Sequence, residues 1–384
     1  MAPSTIQPRR PTPRRARASR CARWSSGRRS IRPMREHHGS GPDALHTPIT
    51  LGSLSLRNRI ITAPDAGSDV DRGGSPLPRV GPIYAQAAAA AGLVLAAPAW
   101  IAPDGAGALR SSGIARESHV AACSTVTTAV HAAGGLVALP LWHAGRLSHP
   151  RVQPHGGWPI APSAIAARGE IVTPEGPRPY PVPRSLDASE LPTLVASYAT
   201  AAEWARRAGF DAVEIVAAQG GLLEQFLRPE SNQRIDAHGG SATNRARLLV
   251  EIVEAVSERI GADRVAVRLG AGEAEVATWL SGRGLGWLHL VPPAGSDDLA
   301  EYAADLRSRV DTPVMLGGGV AREPARYAIA SGAADAVVVA SDHDDAALTV
   351  VPNIASPLLG HRDTWAANGA APRDAEPDGG TAHA

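Results

Sequence analysis

AVEIVAA (212–218) and RVAVRLG (264–270) are two short, nearly uninterrupted runs of apolar residues. A strand with one wet face alternates apolar and polar residues, whereas an uninterrupted run is typical of a parallel strand that is covered on both faces. The segment 244–260, which lies between the two runs, has the apolar spacing of an amphipathic helix. A strand, a helix and a second strand in this order predict a parallel sheet.

Six further runs of the same kind flank this pair. They are RIITAP (59–64), GLVLAAPAW (92–100), LVALPLWH (136–143), GWLHLV (286–291), TPVMLGG (312–318) and ADAVVVAS (334–341). Amphipathic segments at 190–208, 298–310 and 323–332 are interspersed among them, and Asp187 followed by Glu190 has capping-box spacing. Eight strands alternating with helices favour a single closed α/β barrel of the (β/α)8, or TIM barrel, type over an open sheet.

The chain divides into three parts. Residues 45–368 form the predicted barrel, 1–44 a disordered Arg-rich extension and 369–384 a disordered tail. Within the barrel, the Pro- and Gly-rich segment 144–186 is too long for an ordinary loop, so we expect it to fold over the C-terminal face.

Composition excludes several classes of function. The net charge is +1, but the extension holds eleven arginines, so the rest of the chain is acidic at about −8 by subtraction. Aromatic residues are nearly absent from the extension, so nucleic-acid binding is not expected there, and no run of 18 apolar residues predicts a membrane span. The absence of lysine excludes Schiff-base catalysis, and two cysteines are too few for a disulfide framework. We expect a cytoplasmic protein.

Four long motifs resemble the bacterial branch of the Old Yellow Enzyme family. They are LHTPITLGSLSLRNRIITAP (45–64), HAAGGLVALPLWHAGRLSHP (131–150), WPIAPSAIAARGEIVTPEGPRPYPVPRSL (158–186) and LLEQFLRPESNQRIDAHGGSATNRARLL (222–249). The resemblance covers about 45–350 and implies an FMN-binding barrel. It also implies an oxidoreductase that takes hydride from NADH or NADPH and passes it to a small-molecule substrate, an activated alkene such as an α,β-unsaturated carbonyl compound.

The resemblance places cofactor contacts at the carboxyl ends of the strands, and several of these contacts are replaced. The hydroxyl donor expected two positions after Pro64 is Ala66, and the backbone donor after the second strand is Pro98, which has no N–H. The glutamine expected to reach the flavin pyrimidine edge is Pro140, and the arginine of the phosphate clasp is Ser341. These changes indicate that FMN binding is weakened or lost.

Three further cofactor positions keep the family pattern. Arg268 matches the arginine that faces N1 and the C2 oxygen of the flavin, and Gly318 and Gly319 match the turn that approaches the phosphate.

The resemblance also implies a catalytic His-x-x-Asn-x-Tyr pattern at the end of the fourth strand. Here these positions are Val216, Gln219 and Gly221, so only Gln219 keeps a hydrogen-bond donor. His143, at the end of the third strand, is either a replacement acid or base or an oriented structural histidine, and we favour the structural interpretation. Loss of both the oxygen-binding pair and the proton donor would impair the transition state directly.

Two hypotheses remain open at this point. The chain is either a divergent flavin oxidoreductase or a flavin-free barrel that acts as a binding protein or a non-redox isomerase or cyclase. No metal site is expected, because the cluster Asp342, His343, Asp344 and Asp345 has the character of a solvated loop. We also expect Asp65, at the end of the first strand, to approach Arg268 directly or through water across the barrel mouth, because a buried arginine needs a counter-charge.

Overall fold

A closed ring of parallel strands forms the centre of the computed structural model, which describes residues 43–270, 272–292 and 299–339. Within these residues the barrel strands are β1 (Ile60–Thr62), β2 (Leu93–Leu95), β3 (Val137–Trp142), β4 (Ala212–Ala217), β5 (Val265–Gly270), β6 (Trp287–Val291), β7 (Val314–Val320) and β8 (Ala336–Val339). Each pairs in parallel with its neighbours, and pairing of β8 with β1 completes the ring. The predicted (β/α)8 barrel is confirmed, and every strand falls on one of the eight predicted runs.

Helices cover the outside of the ring. In the described residues they are α1 (Val80–Ala88), α2 (Glu117–Ala132), α3 (Leu191–Arg207), α4 (Leu222–Leu227), α5 (Ala242–Ile260), α6 (Ala274–Leu280), α7 (Leu299–Arg307) and α8 (Arg322–Ala330). Glu190 accepts the backbone N–H of Asp187 at 2.8 Å ahead of α3, as the capping-box spacing predicts. The four predicted helical segments are confirmed to within about two residues, except that α7 ends three residues early.

Helix α5 shows how the sequence defines such an element. The side chain of Ser241 accepts the N–H of Asn244 at 3.2 Å and begins the helix, and Gly261, with a φ of 89°, ends it. Leu248, Ile252 and Val256 recur every four residues and are fully buried. This apolar stripe faces the barrel and holds the helix against it.

A short hairpin closes the amino-terminal end of the barrel. Ile49–Leu51 pairs antiparallel with Leu54–Leu56, and its leucines pack with alanines near the start of the strands, among them Ala138, Ala212 and Ala266. The small alanine side chains leave room for the leucines inside the ring. Because this end is filled by apolar packing, any site must lie at the carboxyl end of the strands.

The long segment after β3 forms its own small structure beside that carboxyl end. Glu170–Thr173 and Gly176–Pro179 form an antiparallel hairpin, and Leu147 packs both against the hairpin's apolar cluster and against Trp142 and Val216 of the barrel. The predicted insertion over the C-terminal face is therefore confirmed.

The folded body begins slightly before the predicted boundary. Asp43 caps the turn Ala44–His46 and lies 3.0 Å from Arg326 of α8, although the sequence placed Asp43 and Ala44 in the extension. The remainder of the extension, Ser341, the acidic cluster 342–345 and the tail 369–384 lie outside the described residues. No helix that the structure describes combines the length and apolarity needed to cross a bilayer.

Candidate active site

An ionic cluster lies inside the barrel, one layer below the carboxyl ends of three neighbouring strands. Glu214 of β4, Arg268 of β5 and His289 of β6 are all at most 1% exposed. The Oε1 atom of Glu214 lies 2.5 Å from Nη2 and 2.6 Å from Nε of Arg268. Its Oε2 atom lies 2.8 Å from Nδ1 of His289 and accepts a longer bond, 3.4 Å, from the indole of Trp287. Both carboxylate oxygens are therefore used inside the protein.

The protonation states in the cluster follow from burial and from these contacts. Burial opposes the charge of Glu214, but Arg268 and His289 outweigh burial and hold its pKa at about 2. Burial lowers the pKa of His289, although the nearby carboxylate of Glu214 opposes this effect. His289 is therefore neutral and donates Nδ1–H to Glu214, and the cluster holds one cation and one anion.

The expected pair of Arg268 with Asp65 was wrong. Asp65 is exposed, whereas Arg268 is paired within the barrel by Glu214 from the adjacent strand. The reason is distance around the ring: β1 and β5 lie on opposite sides, while β4 and β5 are hydrogen-bonded neighbours. A counter-charge for Arg268 is indeed present, but it comes from a different strand.

Gln219 lies directly above this cluster. Its side-chain Oε1 accepts a hydrogen bond from Nη1 of Arg268 at 3.3 Å. Its backbone has a φ of 59°, the only positive φ of a non-glycine residue in the part of the chain that the structure describes. Residues held in this region concentrate at functional sites.

The two other positions of the expected catalytic pattern carry no polar side chain. Val216 is buried in an apolar cluster with Trp100 and Trp142. Gly221 precedes α4, and a Cβ atom there would lie 3.6 Å from the Trp142 ring and 3.2 Å from the backbone oxygen of His143. Neither position therefore supplies a polar side chain where the family's histidine and tyrosine would act.

His143 is fixed by its own loop. Its Nδ1 atom accepts the backbone N–H of Gly145 at 3.0 Å, so a neutral ring carries its proton on Nε2. Nε2 lies 3.4 Å from Oδ1 of Asp104, a contact that forms no aligned hydrogen bond. The backbone N–H of Gly145 thus orients the ring, the Asp104 carboxylate lies near its other nitrogen, and His143 is buried. This arrangement favours the structural interpretation of His143.

The positions expected to face the flavin offer few donors. Ala66 is buried and lines a small apolar cavity behind β1 and β2, and Pro140 lies within β3 without an N–H. After β2, the N–H of Ala97 is already donated to the hydroxyl oxygen of Tyr84 at 2.8 Å, and the next residue, Pro98, has no N–H. The pyrimidine edge of a flavin needs hydrogen-bond partners, so these residues do not fit FMN in the way that the family pattern implies.

The phosphate side of the predicted site is described in part. Gly318 and Gly319 have φ angles of 96° and 68°, a backbone conformation that favours glycine and leaves room for close approach to a ligand. Pro64 follows β1 and is half-buried at the same end of the barrel. The predicted cofactor-binding roles of Gly318, Gly319, Pro64 and Ser341 stay predictions. Among the described residues, no group of three or more His, Cys, Asp or Glu side chains could hold a metal ion.

The model of the NADH:flavin oxidoreductase / NADH oxidase family matches residues 44–278. The chain belongs to this family. It is 36% identical to 12-oxophytodienoate reductase 7 of Oryza sativa subsp. japonica, over 76% of this chain and 83% of that protein. It is 34% identical to chanoclavine-I aldehyde reductase of Penicillium roqueforti, over 74% and 81% of the two chains.

Solved structures place the chain in the Old Yellow Enzyme family. An old yellow enzyme homologue from Zymomonas mobilis superposes with a TM-score of 0.73 at 34% identity, covering 77% of this chain and 88% of that one. Morphinone reductase superposes with a TM-score of 0.71 at 37% identity, covering 77% and 85%. Morphinone reductase has also been solved in complex with tetrahydroNAD. The resemblance read from the four sequence motifs is therefore confirmed.

The residue that sequence reasoning missed in this Old Yellow Enzyme barrel is Glu214. Its signal was present: a single acidic residue interrupts the apolar run AVEIVAA, and a buried carboxylate needs a partner. Residues two apart on a strand face the same side, so Glu214 shares its face with Val216, which the resemblance places at the first position of the catalytic pattern. Arg268 on the next strand was the cation to pair with it.

Proposed function

We propose that this Old Yellow Enzyme family member binds FMN only weakly and has lost efficient reduction of activated alkenes. The observation that carries the proposal is the lack of donors at Ala66, Pro98 and Pro140. In the described part of the barrel the one buried arginine, Arg268, is already paired by Glu214.

The expected loss of affinity follows from typical magnitudes. A nanomolar cofactor corresponds to about 12 kcal/mol of binding free energy. A lost neutral hydrogen bond removes about 1 kcal/mol and a lost charge-assisted bond about 1.5–3 kcal/mol. The three neutral contacts (hydroxyl, backbone and glutamine) and the charge-assisted arginine contact together remove about 4.5–6 kcal/mol if they add. The dissociation constant for FMN then lies between a few micromolar and a few tens of micromolar.

The reaction is affected separately from cofactor binding. Reduction of an enone needs a polarised carbonyl oxygen and a proton for the α-carbon, and both demands are greatest in the transition state. Val216 lies among tryptophan side chains and has no donor, and Gly221 has no side chain to supply a proton. Gln219 keeps an amide N–H donor while its oxygen accepts from Arg268, but this single donor replaces neither the second donor of the pair nor the proton source. Added FMN therefore does not restore the usual rate.

The test uses the purified full-length protein. We expect no stoichiometric flavin absorbance after gel filtration, and NADPH-dependent reduction of cyclohexenone far below about 1 per second with FMN in excess. Morphinone reductase, prepared in the same way, is the positive control for both readouts. A yellow protein that retains one flavin per chain would contradict the binding part of the proposal. Turnover in the usual enzyme range would contradict the catalytic part.

A second candidate function is a flavin-free barrel that binds a small molecule or catalyses a non-redox reaction. The pairing of Arg268 with Glu214 favours it, because the interior charge is balanced without any cofactor. Thermal unfolding with and without FMN separates the two candidates. A ligand at one hundred times its dissociation constant stabilises the folded state by about 2.7 kcal/mol. A melting temperature that does not change up to millimolar FMN supports the flavin-free barrel.

A further inference from the structure

The turn that carries Gln219 is held in place by two side chains of α4. Gln219 and Gly220 have consecutive positive φ angles of 59° and 78°. The carboxylate of Glu224 accepts the N–H of Gly220 at 2.5 Å, and the amide of Gln225 donates to the oxygen of Gly220 at 2.7 Å. A non-glycine residue keeps a left-handed conformation only where its surroundings impose it. The backbone of Gln219 is therefore fixed, so the position of its Cα atom relative to Arg268 is fixed as well.

The side chain of Gln219 extends to Nη1 of Arg268, the guanidinium nitrogen that Glu214 does not contact. A guanidinium group has five N–H donors and no acceptor. Glu214 takes the N–H of Nε and one N–H of Nη2, and the amide oxygen of Gln219 takes one N–H of Nη1 at 3.3 Å. Since the guanidinium only donates, it is the oxygen of the Gln219 amide, and not its nitrogen, that faces Arg268.

Side-chain length decides whether this contact forms. An asparagine at position 219 has one carbon–carbon bond fewer, a difference of about 1.5 Å, which moves its amide oxygen out of hydrogen-bond range of Nη1. Asparagine is the residue that the family pattern has at this position. The replacement of asparagine by glutamine thus keeps the amide but changes what it binds.

We infer that Gln219 is an internal competitor for the flavin, because its amide oxygen occupies the Arg268 N–H that a carbonyl oxygen on the flavin pyrimidine edge would otherwise accept. This inference rests on the proposed function, in which the mouth is a weakened flavin site. It makes Gln219 a determinant of cofactor affinity, acting in addition to the missing donors at Ala66, Pro98 and Pro140.

The test compares flavin binding by the wild-type chain and by Gln219→Asn and Gln219→Gly. Asparagine and glycine both tolerate a positive φ, so the turn held by Glu224 is preserved. Binding is followed by quenching of flavin fluorescence, with FMN and with lumiflavin, which has the ring but no phosphate. Freeing a charged donor is expected to lower both dissociation constants by about tenfold or more. Gln233→Asn, the same chemical change at an exposed position, is the matched control and leaves both constants unchanged.

The outcomes separate the inference from the proposed function. Weak binding by the wild type with no gain in either variant overturns the inference and leaves the proposed function intact. Nanomolar binding by the wild type overturns the proposed function, and a further gain in the variants would still support competition. A gain for FMN but not for lumiflavin overturns the inference, since the freed donor lies at the ring. Loss of folding in both variants, seen as a lost thermal transition, would mean that the contact is structural and would also overturn the inference.

Discussion

Replacing Glu214 by glutamine tests the ionic cluster most directly. The substitution keeps the shape of the side chain but removes the charge that balances Arg268, which is 1% exposed, and weakens the acceptor for His289. A pKa of about 2 for Glu214 in the folded protein, against 4.5 in the unfolded chain, corresponds to about 3 kcal/mol of stability at neutral pH. Removal of one partner from a buried pair costs a similar amount, about 3–5 kcal/mol.

Urea unfolding at pH 7 measures this loss as a change in the unfolding free energy. We expect Glu214→Gln to lower it by about 3 kcal/mol and the melting temperature by about 5–10 °C. The matched control is Glu203→Gln, which breaks the exposed pair of Glu203 with Arg259 and changes stability by less than about 1 kcal/mol. If the Glu214 and Glu203 variants behaved alike, the cluster would not contribute as the structure indicates.

The pH dependence provides an independent check with a defined sign. The folded-state pKa of Glu214 lies below its unfolded value, so its contribution is present above pH 4.5 and is lost as the pH falls towards 2. The difference in unfolding free energy between wild type and Glu214→Gln should therefore narrow below pH 5 and reach about half its neutral value near pH 3. A difference that stayed constant from pH 7 to pH 3 would refute the assigned protonation state.

Two further predictions concern single residues away from the cluster. Asp65→Ala should change the unfolding free energy by less than about 0.5 kcal/mol, because Asp65 is exposed and Arg268 is paired elsewhere; a larger loss in urea unfolding would restore a role for Asp65. In a Cys21→Ser variant, Cys123 should react with Ellman's reagent only after unfolding, because burial raises the pKa of its thiol to about 12; rapid labelling of the folded protein would contradict this.

The barrel could be predicted from the sequence because its strands and helices are local patterns. Buried parallel strands appear as apolar runs such as RVAVRLG, and Ser241 and Gly261 mark the two ends of α5. The carboxyl-end positions could be assigned as well, because the four motifs that resemble the Old Yellow Enzyme family align them with the family pattern. Substitutions such as Val216 and Pro140 were therefore visible before the structure.

The contacts between strands could not be predicted in the same way. The Asp65 hypothesis used the need of Arg268 for an anion but took that anion from a strand on the opposite side of the ring. Identifying Glu214 as the partner of Arg268 requires the register of β4 against β5. In that register Val216 lies opposite Arg268, and Glu214 is two residues before Val216 on the same face of β4. The positive φ of Gln219 depends likewise on Glu224 and Gln225, which bond to Gly220 from α4. Tertiary packing, and not local sequence, sets both features.

The structure also changes what the presence of Arg268 means for function. Its match to the family's flavin-facing arginine is, at first sight, evidence that a flavin is bound. However, Arg268 holds Glu214 inside the barrel, and Glu214 orients His289, so loss of Arg268 would leave a buried carboxylate without its cation. That penalty of about 3–5 kcal/mol would keep an arginine at position 268 whether or not a flavin binds. The positions 66, 98 and 140, which the family pattern assigns to the cofactor, hold no charged group that the barrel must balance, and they are the ones that are replaced. Retention of Arg268 together with replacement of these donors therefore agrees with the proposed weakening of the flavin site and does not count against it.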